Sequence, residues 1–178
     1  TVVADVGQNQ IWTCTEYKFR KEGRLLTSGG MGTMGYSVPA AIGAKMADNS
    51  RATVAICGDG AFQMSFMELA TAVQFGVDIK VVVMTNNRLG MVRELQTNGY
   101  HDRQTAVFLD GSPDFIKLAE AYGIPQGVYV AEVEKGSAAE KAGITSGSVI
   151  TKFDGTSVKS MDDLKSQLEY YAAGETVD

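Results

Sequence analysis

The sequence has little of what marks metal-finger, disulfide-stapled or membrane proteins. It contains two cysteines, Cys14 and Cys57, and one histidine, and no cysteine spacing suggests zinc. No run approaches the ~18 apolar residues that a membrane span needs, and the first ten residues, TVVADVGQNQ, lack a charged leader followed by an apolar stretch. We therefore expect a reduced, cytoplasmic setting and no membrane partner.

Positive charge is also scarce. The net charge is −5, the sequence pI is about 4.9, and no basic run is present, which excludes nucleic acid and anionic membranes as expected partners. What the chain does have is 44% hydrophobic and 21% charged residues over 178 positions. That composition indicates a globular protein rather than a disordered one.

The composition changes sharply along the chain. Residues 1–125 contain 11 basic and 12 acidic side chains, whereas residues 126–178 contain 5 and 9, and the second stretch has no Arg, Cys, His or Trp. Pro125 lies between the two stretches. The change predicts two segments of different origin, residues 1–125 and residues 126–178, joined near this proline.

Apolar runs in the first segment indicate an α/β fold with a parallel sheet flanked by helices. RATVAICGDG predicts a strand that ends at Gly58, FQMSFMELATAVQFG has helical spacing, and IKVVVMTNN predicts a second buried strand. Strand, helix and strand in this order predict a right-handed βαβ unit. Asp59 and Asn86 are then expected at the carboxyl ends of neighbouring strands, where open α/β sheets bind ligands.

An aspartate and an asparagine at this edge offer hard oxygen ligands, which suit Mg²⁺ or Ca²⁺ better than zinc. The glycines of Gly58-Asp59-Gly60 would let main-chain N–H groups approach an anion. The alternative is structural: GDG forms a tight turn and Asn86-Asn87 caps a helix. A second glycine-rich stretch, SGGMGTMGYSVPAAIGAK, precedes a predicted helix that begins near Pro39 and is a weak phosphate-binding signal by itself.

These four stretches in this order (ADVGQNQIW, SGGMGTMGYSVPAAIGAK, GDGAFQMSFMELATAVQFG and TNNRLGMVRELQ) resemble the thiamine-diphosphate-binding domain of acetolactate synthase large subunits. The resemblance covers roughly residues 1–125. It implies Mg²⁺ held by Asp59, Asn86 and the main-chain carbonyl of Arg88. It further implies that Met34 lies under the thiazolium ring and that the carbonyl of Gly32 accepts from the aminopyrimidine.

The resemblance implies a cofactor-binding set that spans all four stretches: Val6, Gly7, Gln8, Asn9, Gly32, Met34, Asp59, Gly60, Ala61, Asn86, Gly90 and Met91. Two positions depart from the family. Asn9 stands where these synthases usually have histidine, and Leu95 stands where many relatives have a tryptophan in the substrate channel.

The activity that the resemblance implies is decarboxylation of pyruvate and carboligation to a 2-keto acid, a transferase reaction of branched-chain amino acid biosynthesis. The family's activating glutamate belongs to another domain, usually of a partner subunit, and a central flavin-binding domain is also expected elsewhere. We therefore expect no catalytic residue in this chain, no turnover by the chain alone, and assembly into a homo-oligomer.

The second segment resembles a partial PDZ domain of HtrA/Deg-type serine proteases. The resemblance rests on GVYV, GSAAEKAG, VITKFDG and MDDLKSQL in that order. GVYVAEV alternates as a half-buried strand does, and Ser160 with Asp163 is close to a capping box. Compared with the family, the first strand with its carboxylate-binding loop is missing, and the closing strand is expected only as far as Val177-Asp178.

In the PDZ family a C-terminal peptide adds as a strand against the long helix. The matching groove residues are Val128, Tyr129, Val130, Leu164 and Leu168. The alternative is that these side chains are core. Two other hypotheses therefore stand beside the synthase-like one: a peptide-binding module, or a chimeric fusion without a selected joint function.

Overall fold

The computed structural model describes residues 1–18, 22–130, 132–145, 148–172 and 175–176. The chain forms two compact units, Thr1–Pro113 and Asp114–Asp178. The junction expected near Pro125 concerns the origin of the two sequence segments, which this division does not test, so it stays a prediction. Within the described residues, no helix is both long and apolar enough to cross a membrane.

The first unit is a parallel sheet with helices between its strands. The strands are β1 (Val2–Ala4), β2 (Leu25–Thr27), β3 (Val54–Gly58) and β4 (Lys80–Met84). The helices are α1 (Gln8–Glu16), α2 (Ser37–Ala47), α3 (Asp59–Phe62), α4 (Leu69–Gln74) and α5 (Gly90–Gly99), with a 3₁₀ turn at Phe66–Glu68. All three strand pairings are parallel, which confirms the predicted α/β fold class.

The strand order is β2-β1-β3-β4. The chain leaves β1 in one direction to form β2 and then crosses back to form β3 on the other side of β1. The connections therefore diverge at the carboxyl ends of β1 and β3, which is the position where open α/β sheets bind ligands. Gly58 at the end of β3 pairs with Met84 at the end of β4, so the residues that follow these two strands share the same edge, as predicted.

Small and β-branched side chains form the core between sheet and helix. Val3 of β1, Ala41 of α2 and Ala55 of β3 are fully buried against one another. The predicted alanine-rich helix begins at Ser37, two residues before Pro39. Because Ala41 adds little bulk, α2 packs closely on β1 and β3, and this places its first turn near the ligand edge.

The second unit contains short elements. These are α6 (Phe115–Ala121), β5 (Val128–Tyr129), α7 (Ala138–Lys141), β6 (Val149–Ile150), β7 (Lys152–Phe153), β8 (Thr156–Ser157) and α8 (Met161–Leu168). β5 pairs antiparallel with β6, and β7 with β8. Asp154 and Gly155 both have positive φ, 46° and 72°, as a two-residue hairpin turn between β7 and β8 requires.

The predicted length of the first strand in the second unit is wrong. The alternating run GVYVAEV predicts a strand across residues 127–133, but β5 contains only Val128–Tyr129, because its partner β6 also has two residues. The predicted capping box is confirmed at the start of α8, where Ser160 and Asp163 exchange side-chain-to-main-chain hydrogen bonds. Ala131 and the closing strand expected at Val177-Asp178 lie outside the described residues.

Candidate functional site

A cavity of about 530 Å³ opens at the carboxyl edge of the first unit's sheet. Its walls are the residues that follow β1, β3 and β4, together with the stretch that precedes α2. The structure brings together every residue that the sequence predicted for cofactor or metal contact: Val6, Gly7, Gln8, Asn9, Gly32, Met34, Asp59, Gly60, Ala61, Asn86, Arg88, Gly90 and Met91.

Asp59 lies at the base of this cavity and is only 1% exposed. Its Oδ1 accepts a hydrogen bond from the N–H of Gly60 at 2.9 Å. Its Oδ2 accepts from the N–H groups of Asn86 at 3.2 Å and Asn87 at 2.6 Å. Main-chain dipoles thus hold a buried carboxylate in place, and its remaining lone pairs can accept a cation.

Asn86 and Arg88 shape the loop after β4. The Oδ1 of Asn86 accepts from the N–H of Arg88 at 2.9 Å, which links these two residues within the loop. The Arg88 guanidinium lies 4.4 Å from the ring centroid of Phe108 and 3.4 Å from Asp110. A main-chain bond of 2.8 Å from the N–H of Leu89 to the carbonyl of Val107 fixes the loop further.

The residues that line the cavity include one carboxylate, Asp59, together with the amides Gln8, Asn9 and Asn86 and the hydroxyl of Thr85. Among the described residues, no three His, Cys, Asp or Glu side chains cluster to form a metal-binding group. A donor set with a single carboxylate fits Mg²⁺, which takes a few protein oxygens and completes its shell with phosphate and water. It does not fit a structural zinc site.

Glycines keep the cavity open at three positions. Gly7 has φ +139°, and a Cβ there would lie 2.9 Å from Asn9 Oδ1. At Gly90 a Cβ would lie 2.0 Å from Oε1 of Gln8, and at Gly60 it would lie 2.7 Å from Cδ2 of Leu89. A side chain at any of these three positions would displace a neighbouring side chain that lines the cavity.

Asn9 is oriented toward the sheet. Its Nδ2 donates to the carbonyls of Asp5 at 2.9 Å and Ile56 at 3.2 Å. It therefore joins the residue that follows β1 to the middle of β3. At this position, where the resemblance implies histidine in other members, the amide nitrogen donates to main-chain carbonyls, and residues 6–9 all line the cavity.

Sequence reasoning did not single out Asp5, Trp12, Thr85 or Leu89. Trp12, Thr85 and Leu89 line the cavity, and Asp5 lies fully buried beneath it. The signal for Asp5 was present: like Asp59, it directly follows a buried strand of the parallel sheet. No local pattern identifies Trp12, because it depends on how α1 lies over the edge.

Neither cysteine acts in this site. Burial raises the pKa of the Cys57 thiol to about 12, with a smaller contribution from the nearby Asp5 carboxylate. The thiol is therefore neutral at physiological pH and packs as a small apolar group within β3. Cys14 is exposed on α1.

The residues predicted for peptide binding lie in the second unit. Val128 is buried, Val130 and Leu164 are partly buried, and Tyr129 and Leu168 are 37% and 49% exposed. The burial of Val128 agrees with a core role for that side chain. The peptide-binding assignment stays a prediction.

A parallel sheet with a buried aspartate, glycine-lined walls and a cavity at its diverging carboxyl edge defines an α/β domain that binds a phosphate-bearing cofactor. Comparison with known families places the chain more narrowly. The family described as "Thiamine pyrophosphate enzyme, C-terminal TPP binding domain" matches residues 5–152, and the chain belongs to this family. The family described as "PDZ domain" matches residues 129–177, and because the two matches overlap, they do not fix the junction.

Individual relatives agree with the first match. The chain is 48% identical over 123 residues to the acetolactate synthase large subunit of Lactococcus lactis, covering 69% of this chain and 21% of that protein. It is 46% identical over 134 residues to the mitochondrial acetolactate synthase catalytic subunit of Aspergillus candidus, covering 75% and 19%. Isozyme 3 of Escherichia coli is 44% identical over 122 residues, covering 68% and 21%. The chain thus spans about a fifth of these relatives.

Proposed function

We propose that the first unit binds thiamine diphosphate through Mg²⁺, with Asp59, Asn86 and the main-chain carbonyl of Arg88 as the protein ligands. The observation that carries this proposal is the carboxylate of Asp59, which is 1% exposed and receives its hydrogen bonds from main-chain N–H groups. Burying a carboxylate is costly. A divalent cation at the cavity's base would offset that cost and attract a diphosphate.

The remaining walls suit the other parts of this cofactor. The main chain of residues 7–9 offers N–H groups to the diphosphate. Met34 supplies an unbranched, polarizable side chain against the thiazolium ring, and the carbonyl of Gly32 accepts from the aminopyrimidine. Gly90 and Met91 line the opposite wall.

The activity we propose for the full protein is that of the relatives named above, an acetolactate synthase that takes pyruvate and a second 2-keto acid. The cofactor, once bound, supplies the carbanion chemistry that such decarboxylation requires. The residues of this chain bind and orient it and exclude water from its reactive face. We place the activating glutamate outside this chain, in a homo-oligomeric, cytoplasmic enzyme of branched-chain amino acid biosynthesis.

The single tryptophan provides a direct test of cofactor binding. Trp12 lines the cavity and is 53% exposed, so a bound aromatic cofactor should change its fluorescence. Thiamine diphosphate should quench Trp12 in the presence of Mg²⁺ and have little effect after chelation. Calorimetry with the same ligands gives the affinity.

Two aspartate variants make this test specific. Asp59→Asn keeps the size of the side chain and removes its charge, and it should lower the affinity for Mg²⁺ and thiamine diphosphate by roughly a hundredfold or more. Asp78→Asn is the matched control, because Asp78 precedes β4 at the opposite edge of the sheet. Equal binding by both variants, or no binding by the wild type, would contradict the proposal.

The match of residues 129–177 to the PDZ family favours a second candidate function. We propose that a C-terminal peptide adds beside β5 and against α8, in the manner of the HtrA/Deg type, and that this segment has an origin separate from residues 1–125. Selection from a library of C-terminal peptides should enrich a motif with an apolar last residue, and Leu168→Asp should abolish that enrichment. A library that yields no motif would eliminate this function.

A further inference from the structure

Asp5 is a fully buried carboxylate that contributes no surface to the cavity. Its Oδ1 accepts from the N–H groups of Val6 at 2.8 Å and Gly35 at 2.9 Å. Its Oδ2 accepts from the N–H of Ser37 at 2.7 Å. Two of these three donors are thirty or more positions away in sequence, so the side chain joins the end of β1 to the first turn of α2.

The main-chain N–H and carbonyl groups of Asp5 are also hydrogen-bonded. Its N–H donates to the carbonyl of Ile56 at 2.8 Å, and its carbonyl accepts from Asn9 at 2.9 Å. These bonds attach Asp5 to β3 and to the first turn of α1. The position of the carboxylate is therefore determined by the sheet, and residues 35–37 must adapt to it.

The segment that Asp5 holds contains the cavity residue Met34. Gly35 follows it with φ +85°, and a Cβ at Gly35 would lie 3.0 Å from Cβ of Met64. Cε of Met34 lies 3.5 Å from the point that a Cβ on Gly60 would occupy. Met34 thus reaches across to α3, and the main chain of Gly35 beside it is hydrogen-bonded to Asp5 and lies close to Met64.

We propose that Asp5 is a positioning residue for the cofactor site. Its carboxylate fixes the main chain of Gly35 and Ser37 and thereby directs Met34 against the thiamine half of the cofactor; this rests on the proposed function. A negative charge at the first turn of α2 is also favoured by the helix dipole. An amide cannot replace it, because an NH₂ group would face an N–H donor and leave that donor unpaired.

The test is the variant Asp5→Asn, measured with two ligands that share a diphosphate. Thiamine diphosphate reaches Met34, whereas inorganic pyrophosphate does not. With Mg²⁺ present, Asp5→Asn should weaken thiamine diphosphate roughly tenfold and pyrophosphate by less than about threefold. Hydrogen exchange of the Gly35 and Ser37 amides should accelerate roughly tenfold in the cofactor-free protein, since both lose a charged acceptor.

Lys45→Met is the matched control. Lys45 is also buried, and its Nζ donates to the carbonyls of Asn49 and Arg51 at the other end of α2. This variant should destabilise the same helix and leave the ratio of the two affinities unchanged. If Asp5→Asn does not fold, Gly35→Ala perturbs the same segment while keeping the carboxylate in the sequence, and it should show the same selective loss.

The possible outcomes distinguish the proposed cofactor binding from the proposed positioning role of Asp5. If wild type binds neither ligand, the proposed cofactor function is overturned, and this inference with it. If wild type binds and Asp5→Asn binds thiamine diphosphate equally well, only the positioning role is overturned. Equal losses for both ligands, or a selective loss in Lys45→Met, would also overturn it, because the effect would then be general.

Discussion

The two units of the chain are stabilised in different ways. Among the described residues, fourteen of the sixteen buried hydrophobic side chains lie in Thr1–Pro113, and all seven buried polar or charged ones do. The second unit has only Val128 and Val158 in its buried set. Its helices instead begin with side-chain caps, Asp114, Ser137 and Ser160, and its ion pairs are exposed.

This difference has a functional reason. A site built at the edge of a parallel sheet requires polar groups such as Asp5 and Asp59 to be buried, and only a well-packed core holds such groups in place. The second unit carries no comparable group in its buried set. Substitutions in the first unit should therefore act through packing and ligand binding, and those in the second through main-chain fit, capping and charge.

The largest effect is expected for Gly127→Ala, which tests main-chain fit in the second unit. A Cβ at this position would lie 2.1 Å from the carbonyl oxygen of Ile150 and 2.7 Å from its carbon. Because both are main-chain atoms, β5 and β6 must separate. We expect a loss of about 3 kcal/mol in the unfolding free energy of this unit, measured by region-resolved hydrogen exchange.

Gly111→Ala is the control for that experiment, since a Cβ there meets nothing within 4 Å. It should leave both units within about 0.5 kcal/mol of the wild type. If β5 and β6 keep wild-type exchange protection in Gly127→Ala, the strand pair adapts to the added methyl group. The second unit would then not depend on main-chain fit.

Paired valine truncations compare the two cores directly. Val3 and Val158 are both fully buried, but Val3 packs within the cluster of Ala41 and Ala55. We expect Val3→Ala to cost about 2 kcal/mol, because neighbours in a dense core relax little around the cavity. Val158→Ala should cost less, about 1 kcal/mol, because a thin core can collapse.

Chemical denaturation measures these two costs when each unit is followed by its own signal: Trp12 fluorescence reports the first unit, and amide exchange in α8 reports the second. Equal costs for the two valines would contradict the view that the cores differ in packing.

Removing one cap should have a smaller effect, confined to the second unit. In Ser160→Ala, the N–H of Asp163 loses its acceptor at 3.1 Å, and we expect α8 to lose about 1 kcal/mol. Ser166→Ala makes the same change inside the helix and should stabilise it slightly, because alanine is the better helix former. Circular dichroism during thermal unfolding distinguishes the two, and equal melting temperatures would exclude a role for the cap.

The sequence predicted these units to different extents. The positions of Asp59 and Asn86 could be predicted because the carboxyl ends of parallel strands lie at one edge of the sheet. Locating each residue therefore required only the end of one predicted strand. The strand at residues 127–133 was overestimated because alternation shows which face is buried but not how long the partner strand is. The position of Asp5 after a buried strand could be predicted in the same way, but its contacts could not, because its donors Gly35 and Ser37 are brought to it by the fold and not by any local spacing.

The smallest expected difference between the units is their response to acid. The Lys159 ammonium, which donates to Glu120 at 2.7 Å, lowers the pKa of that carboxyl, and the main-chain N–H of Lys159 lowers the pKa of Asp163. A lowered pKa in the folded state stabilises it above the ordinary carboxyl value, and this contribution disappears as the pH falls through the folded-state pKa. The same pairing raises the pKa of Lys159, so that contribution disappears only as the pH rises through the raised value. Since these groups are exposed, the effect should be small and weakened by salt.

Glu120→Gln should reduce the loss of hydrogen-exchange protection in α8 between pH 6 and pH 3, values chosen to span the carboxyl range. Glu169→Gln, just after the end of α8, is the control. An unchanged pH profile in Glu120→Gln would mean that this pair does not stabilise the second unit.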